Sequence, residues 1–271
     1  MDRKVVVKAI QKIISEIKEK CIIKNTAIRD GIFGILENEC TVIYYPFDEE
    51  KNRGFHIKKI VKNELEDFVY INTAKPIAEQ IFAAAHEFGH IWEVAAKVWD
   101  RLGYEGKPTE QEEEDITDWF AAEFLMPTNE FRKTFSAHMN ELGIKPGKVK
   151  LDEVVRLIVL QMDDFMVPYE SVRRRLEETG IMKKDSADFL LSKHEEALEL
   201  VDVFIKDRNT YLGNGTCVKT ISGIRTVIEN AESKENVDSY LLMKIKKEFG
   251  IADMPAAEEG FEIHIGENGD E

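Results

Sequence analysis

The feature that most restricts the fold is an apolar run from Pro76 to Val98 with His86-Glu87-Phe88-Gly89-His90 at its centre. Pro76 suits a first helical turn, Asn72 or Thr73 can cap it, and Ile91, Trp92, Val94, Ala95 and Val98 continue the apolar face. The pattern predicts one long, largely buried helix. On a helix, two histidines four residues apart lie about 40° apart around the axis and one turn apart along it, so both imidazoles can reach one cation. That spacing suits zinc. Glu87 falls beside the ligand line, near the open position, where a carboxylate can take a proton from water as a general base. Gly89 in mid-helix should cost about 1 kcal/mol relative to Ala, which points to a close backbone approach there. Two hydrogen-bonded core histidines would explain the pentad alone, so the surrounding sequence decides.

A catalytic zinc site commonly takes three protein ligands and leaves a fourth position for water. The stretch from Glu112 to Pro127 supplies a third. Ile116, Trp119, Phe120, Phe124 and Leu125 recur at helical spacing and Pro127 ends the run, giving a second core helix with an acidic first turn. Glu114 and Asp118, four apart, share a face. Glu114 is the candidate ligand, and Asp118 can accept the second ring N–H of a metal-bound histidine, fixing its tautomer. Glu112 and Glu113 are read as acidic residues that complement the helix N-terminus.

Together, Phe82-x-x-Ala85-His86-Glu87-Phe88-Gly89-His90 and Glu114-x-x-Thr117-Asp118-x-Phe120-Ala121-Ala122-Glu123-Phe124-Leu125-Met126-Pro127 resemble the ImmA/IrrE family of metallo-endopeptidases. That family's second motif usually reads Glu-x-x-Ala-Asn-x-Phe-Ala. The chain departs at Thr117 and at Asp118, and Asp118 restores the Glu-x-x-x-Asp pattern of thermolysin-like gluzincins. Phe68 to Asn72 is similar to the short strand that precedes the family's active helix. The resemblance spans roughly residues 20 to 180, with the two helices as its specific part.

With 271 residues, 43% of them hydrophobic, the chain can bury a sizeable core. Charged residues from Arg3 to Lys20 interrupt any signal-peptide core, and no stretch approaches the ~20 apolar residues of a membrane span. Cys21, Cys40 and Cys217 are scattered and odd in number, which suits reduced thiols and excludes a cysteine zinc site. These features lead to the expectation of a cytoplasmic protein without membrane contact. The net charge of −15 is uneven: residues 1–127 hold 17 basic against 24 acidic residues, 128–184 hold 11 against 9, and 185–271 hold 9 against 19. Any DNA binding would have to be local to the middle segment.

Val6, Ile10, Ile13, Ile14 and Ile17 predict an opening helix, residues 32–45 a hairpin, and Phe68 to Ile71 a further strand, giving a small sheet against the active helix. An extended substrate could add to the edge of that sheet. Residues 99–111 form a polar connection, either an ordinary loop or a flap. Leu151 to Leu160, a break at Val167-Pro168, and Tyr169 to Leu176 resemble a helix-turn-helix. Arg173, Arg174 and Arg175 either contact phosphates or belong to a unit packed on the core. Residues 186–208 read as one amphipathic helix, and the acidic stretch from Ala256 as a disordered tail. Tyr104, His138, Tyr169 and His56 are candidate oxyanion donors that no motif ranks.

The expected architecture is α+β: a mainly helical zincin-like metallopeptidase core with a small β-sheet, over residues 1–130. A helix-turn-helix-like segment (131–184), a C-terminal helical region (185–255) and an acidic tail (256–271) follow. The expected function is a zinc endopeptidase with His86, His90 and Glu114 as Zn²⁺ ligands, Glu87 as base and Asp118 behind a ligand. The resemblance implies a helix-turn-helix transcriptional repressor as substrate, cut under stress or in mobile-element control. The chain is expected not to bind DNA alone. The alternative is a metal-containing regulatory protein that acts through its helix-turn-helix-like segment without proteolysis. An intact Glu87 speaks against it, because a structural metal site needs no base.

Overall fold

The computed structural model describes residues 2–24, 27–48, 52–61, 63–233 and 237–251. The first helix, α1 (Arg3–Lys20), is capped by the Asp2 side chain on Lys4 N and buries Val6, Ile10, Ile13, Ile14 and Ile17, the residues whose spacing predicted it. Residues 32–36 do not form the first arm of a hairpin. They lie in a short helix, α2 (Gly31–Glu37), whose Ile32 and Leu36 are one turn apart and both buried. Burial of that one-turn pair outweighs the strand preference of its branched residues.

Three strands follow, β1 (Thr41–Tyr45), β2 (Gly54–Val61) and β3 (Glu64–Asn72), and a two-residue strand β4 (Thr220–Ile221) completes a sheet of order β2-β3-β1-β4. The expected strand at Phe68 to Ile71 is the second half of β3. It pairs in parallel with β1, Thr41 opposite Phe68 and Tyr45 opposite Asn72, while β2 and β3 form the antiparallel hairpin. Val42 and Tyr44 on β1, and Val69 and Ile71 on β3, alternate at period two and bury one face.

Against the sheet lies α3 (Ile77–Ile91), led in by Pro76. It does not run on to Val98. After Trp92 the chain turns through a left-handed Glu93 (φ 50°), and a separate helix, α4 (Val94–Leu102), buries Val94, Ala95 and Val98. The break gives these residues a helix axis of their own, against α1 and α5 (Glu110–Leu125). Most of residues 99–111 is therefore helix end or a short connection rather than a long flap. The α5 helix begins with a capping box between Thr109 and Glu112 and buries Ile116, Thr117, Phe120, Phe124 and Leu125.

Helices α6 (Thr128–Glu141), α7 (Leu151–Phe165) and α8 (Tyr169–Glu178) come next, with the α7–α8 break at Met166 to Pro168. Residues 186–208 divide into α9 (Lys184–Ser192) and α10 (His194–Lys206), interrupted at Lys193. One cluster of buried side chains extends from Val6 to Leu212, so residues 1–130, 131–184 and the start of 185–255 contribute to a common core. The chain divides into two compact units, Met1–Ser222 and Gly223–Glu271. The second holds α11 (Ile224–Ser233) and α12 (Ser239–Glu248). The acidic stretch at 256–271 lies outside the described residues. Among the described residues no helix is long and apolar enough to cross a membrane.

Gly89 lies where α5 packs closely on α3. A Cβ built there would lie 2.8 Å from Thr117 Cγ2 and 2.9 Å from Phe120 Cδ1. Gly89→Ala would gain about 1 kcal/mol of helix propensity but meet overpacking of about 1–3 kcal/mol. The expected result is a net loss of up to about 2 kcal/mol in chemical denaturation. A variant at least as stable as the parent would show that Thr117 and Phe120 yield freely.

Candidate metal centre between α3 and α5

The two helices cross antiparallel, so that rising numbers on α3 meet falling numbers on α5. His86 faces Glu114 and Asp118, whereas His90 faces Glu114 and Glu113. The His86 and His90 Nε2 atoms stand 3.1 Å apart. Glu114 presents a different oxygen to each, Oε2 at 3.2 Å from His86 Nε2 and Oε1 at 3.4 Å from His90 Nε2. One ligand atom from each of the three side chains can be chosen so that all lie within 4.8 Å of one another.

The arrangement fits a cation. Two imidazole nitrogens and a carboxylate stand within one small space, and donors at such separations match the ~2.0–2.2 Å bonds of four-coordinate zinc. The imidazoles are mostly buried while half of the Glu114 side chain is exposed, so the cluster opens to solvent on one side.

Outside this triangle, His86 Nδ1 sits 2.9 Å from Asp118 Oδ1, where sequence spacing had placed Asp118 behind a ligand. Burial opposes a charge on His86, but the hydrogen bond to Asp118 and the charges of Glu87, Asp118 and Glu114 outweigh it and raise its pKa. At His90, burial and the charge of His86 prevail over Glu114 and Glu113 and lower the pKa. Without metal, His86 therefore takes up a proton more readily than His90. Glu87 is buried, 6% exposed. Burial pushes its carboxyl up to about 7; His86 pulls it down and Glu114 adds to the rise.

Strand β2 packs along α3. Arg53, just before β2, pairs with Glu79 on the first turn of α3 at 2.7 Å, and Lys58 lies 3.7 Å from Glu93 beyond its end. The far edge of β2 pairs with no strand among the described residues. Near the start of β2 opens a cavity of about 520 Å³ whose walls include Asp118, Phe82, Trp119, Tyr169 and Leu198.

Of the four candidate oxyanion donors, two have polar atoms bonded elsewhere and a third packs its ring away from the cluster. His56 bonds Asp67 at 2.5 Å, His138 bonds Asp164 at 2.7 Å, and Tyr104 packs on Trp99 with ring centroids 4.8 Å apart. Tyr169 lines the cavity, and its buried hydroxyl has no partner among the described groups. Sequence reasoning missed Glu113, assigned to the helix end, although its Oε1 lies 3.4 Å from His90 Nδ1.

Residues 37–177, more than half of the chain, match the profile of the Peptidase_M78 family, the IrrE N-terminal-like domain. No curated protein matches. Among solved structures, a Mycobacterium tuberculosis transcriptional regulator aligns at 13% identity with a TM-score of 0.40, over 63% of this chain. The chain spans 46% of that protein's length.

Proposed function

The chain belongs to the Peptidase_M78 family of IrrE N-terminal-like metallopeptidases, and from that premise we propose that it is a zinc-dependent endopeptidase. The observation that carries this reading is the convergence of both Nε2 atoms on the Glu114 carboxylate beside a buried Glu87. His86 and His90 would hold the metal, with Glu114 as the third ligand, and Asp118, bonded to His86 Nδ1, would leave Nε2 of that ring free to bind. Zinc bound there would supply Lewis acidity for peptide hydrolysis. Glu87 accepts the proton that water loses and returns it to the leaving amine. An extended peptide added to the open edge of β2 would start near the cavity that Arg53 and Asp118 share.

The substrate we propose is a protein, a helix-turn-helix transcriptional repressor, as the family relationship suggests. Action through the chain's own helix-turn-helix-like segment is the weaker reading. Arg173 is spent on Glu170, at 2.6 and 2.8 Å, and Arg175 lies inside the protein, leaving Arg174 as the exposed member of the triplet. We therefore propose that the chain alone binds no DNA and that its place is the cytoplasm.

The test is metal content. The parent chain should carry about one zinc, lost to a chelator together with cleavage, and Glu114→Ala should lose the metal. Full occupancy and affinity in Glu114→Ala would sink the ligand assignment.

A further inference from the structure

Glu113 is not needed where the sequence places it. The N-terminus of α5 is already closed by the Thr109 side chain on Glu112 N and by Glu112 on Thr109 N, and Glu110 adds a further acidic residue to that turn. Glu113 instead leans across to α3, its Oε1 3.4 Å from His90 Nδ1. The contact is a longer counterpart of the one made by Asp118: Asp118 Oδ1 forms a hydrogen bond with His86 Nδ1 at 2.9 Å, whereas Glu113 stands at ion-pair distance from His90, close enough to close onto Nδ1 when the ring is aimed at a metal. Each histidine therefore turns Nε2 toward Glu114 and Nδ1 toward a carboxylate of its own.

We infer that Glu113 is the positioning residue of His90, accepting its Nδ1–H and so fixing the tautomer and the ring plane that aim Nε2 at the metal. The inference rests on the metal reading above and extends it to a residue outside the ligand set. An imidazole can rotate about its Cβ–Cγ bond, and one turn of helix sets only where the ring begins. With Nδ1 held, the proton cannot sit on Nε2, and the lone pair faces the cluster. The antiparallel crossing explains the asymmetric spacing. Asp118 follows Glu114 by four residues and meets the earlier histidine, while Glu113 precedes Glu114 by one and meets the later.

A half-exposed carboxylate also attracts any cation nearby, and the experiment separates that charge from orientation. The affinities of the full chain for Zn²⁺ and Co²⁺ are measured by competition with a chromophoric chelator for the parent, Glu113→Ala, Glu113→Gln and Glu112→Ala. Glu113→Ala should weaken binding by about 10- to 100-fold and shift the visible bands of the cobalt-loaded protein. Glu113→Gln, which keeps an accepting oxygen without the charge, should recover most of the loss, and Glu112→Ala should bind as the parent does. Binding by Glu113→Ala as tight as the parent's overturns the inference. So does a Gln variant as weak as Ala, which leaves only charge, or an equal loss in Glu112→Ala, which makes it a helix-end effect. A parent chain that binds no metal overturns this and the metal reading together, whereas a metal-binding parent matched by Glu113→Ala overturns this alone.

Discussion

Glu87→Gln should lower the rate of substrate cleavage by about 10² or more while zinc remains bound, because general-base assistance is worth ~10²–10⁴ in rate. Glutamine fills the same space beside His86 but cannot take a proton. The ligands His86, His90 and Glu114 are untouched, so metal content separates loss of the base from loss of the site. A Glu87→Gln protein that still cleaves at the parental rate would end the proposed mechanism. The same substitution carries a second readout. Burial raises the Glu87 carboxyl from 4.5 to about 7, so the folded metal-free protein holds a proton more tightly than the unfolded chain does. The stability that this proton confers is complete below about pH 4.5 and is lost as pH rises through about 7. A shift of that size corresponds to roughly 3 kcal/mol. Metal-free Glu87→Gln should therefore be more stable than the metal-free parent at pH 8, and the difference should shrink toward pH 5. A parent at least as stable as the Gln variant at pH 8 would mean that the carboxylate is compensated where it lies.

The centre was legible because its chemistry is local. His86, Glu87 and His90 lie within five residues of one helix, and Glu114 with Asp118 on one face of another, so helical period grouped each set; the crossing of α3 and α5 is what brings the two sets together. Gly89 was legible in kind but not in detail. Its propensity penalty signalled a close neighbour, and only the packing of α5 identified Thr117 and Phe120. Glu113 stayed hidden because its role depends on the direction in which α5 crosses α3. Once the crossing is antiparallel, a partner for His90 must lie toward the start of α5, where sequence offers an acidic turn that also suits the helix dipole. Residues 32–36 misled for a different reason. A short apolar run serves a strand or a helix equally until something covers one face, and here Ile32 and Leu36 are covered together. The break at Glu93 carries no glycine or proline to announce it, since an ordinary side chain adopts the left-handed conformation there.

Arg175→Ala should destabilise the protein by about 3–5 kcal/mol, the effect of removing one member of a buried ion pair and stranding the other. Arg175 and Glu123 are nearly inaccessible, with side chains 4% and 6% exposed, and they pair directly. The guanidinium also bonds Met126 O through Nε at 3.1 Å and Nη2 at 2.8 Å, Thr128 Oγ1 at 3.0 Å and Glu178 at 3.2 Å. Glu123 receives Thr128 Oγ1 at 2.7 Å and Gln11 Nε2 at 3.0 Å. One network thus ties the end of α5 to α1, α6 and α8, holding the helix-turn-helix-like segment on the peptidase core. Burial alone would raise the Glu123 carboxyl, but the charge and hydrogen bond of Arg175, with the bonds from Thr128 and Gln11, hold it below the usual range. The contribution of this carboxylate is therefore present above its unfolded pKa and lost as pH falls through the lowered value. Denaturant unfolding near neutral pH measures the loss directly. Glu123→Leu combined with Arg175→Met should restore much of it, since replacing both members by apolar groups leaves no stranded charge. An arginine that served to contact phosphates would behave in the opposite way, lowering DNA affinity on substitution and leaving stability within about 0.5 kcal/mol of the parent.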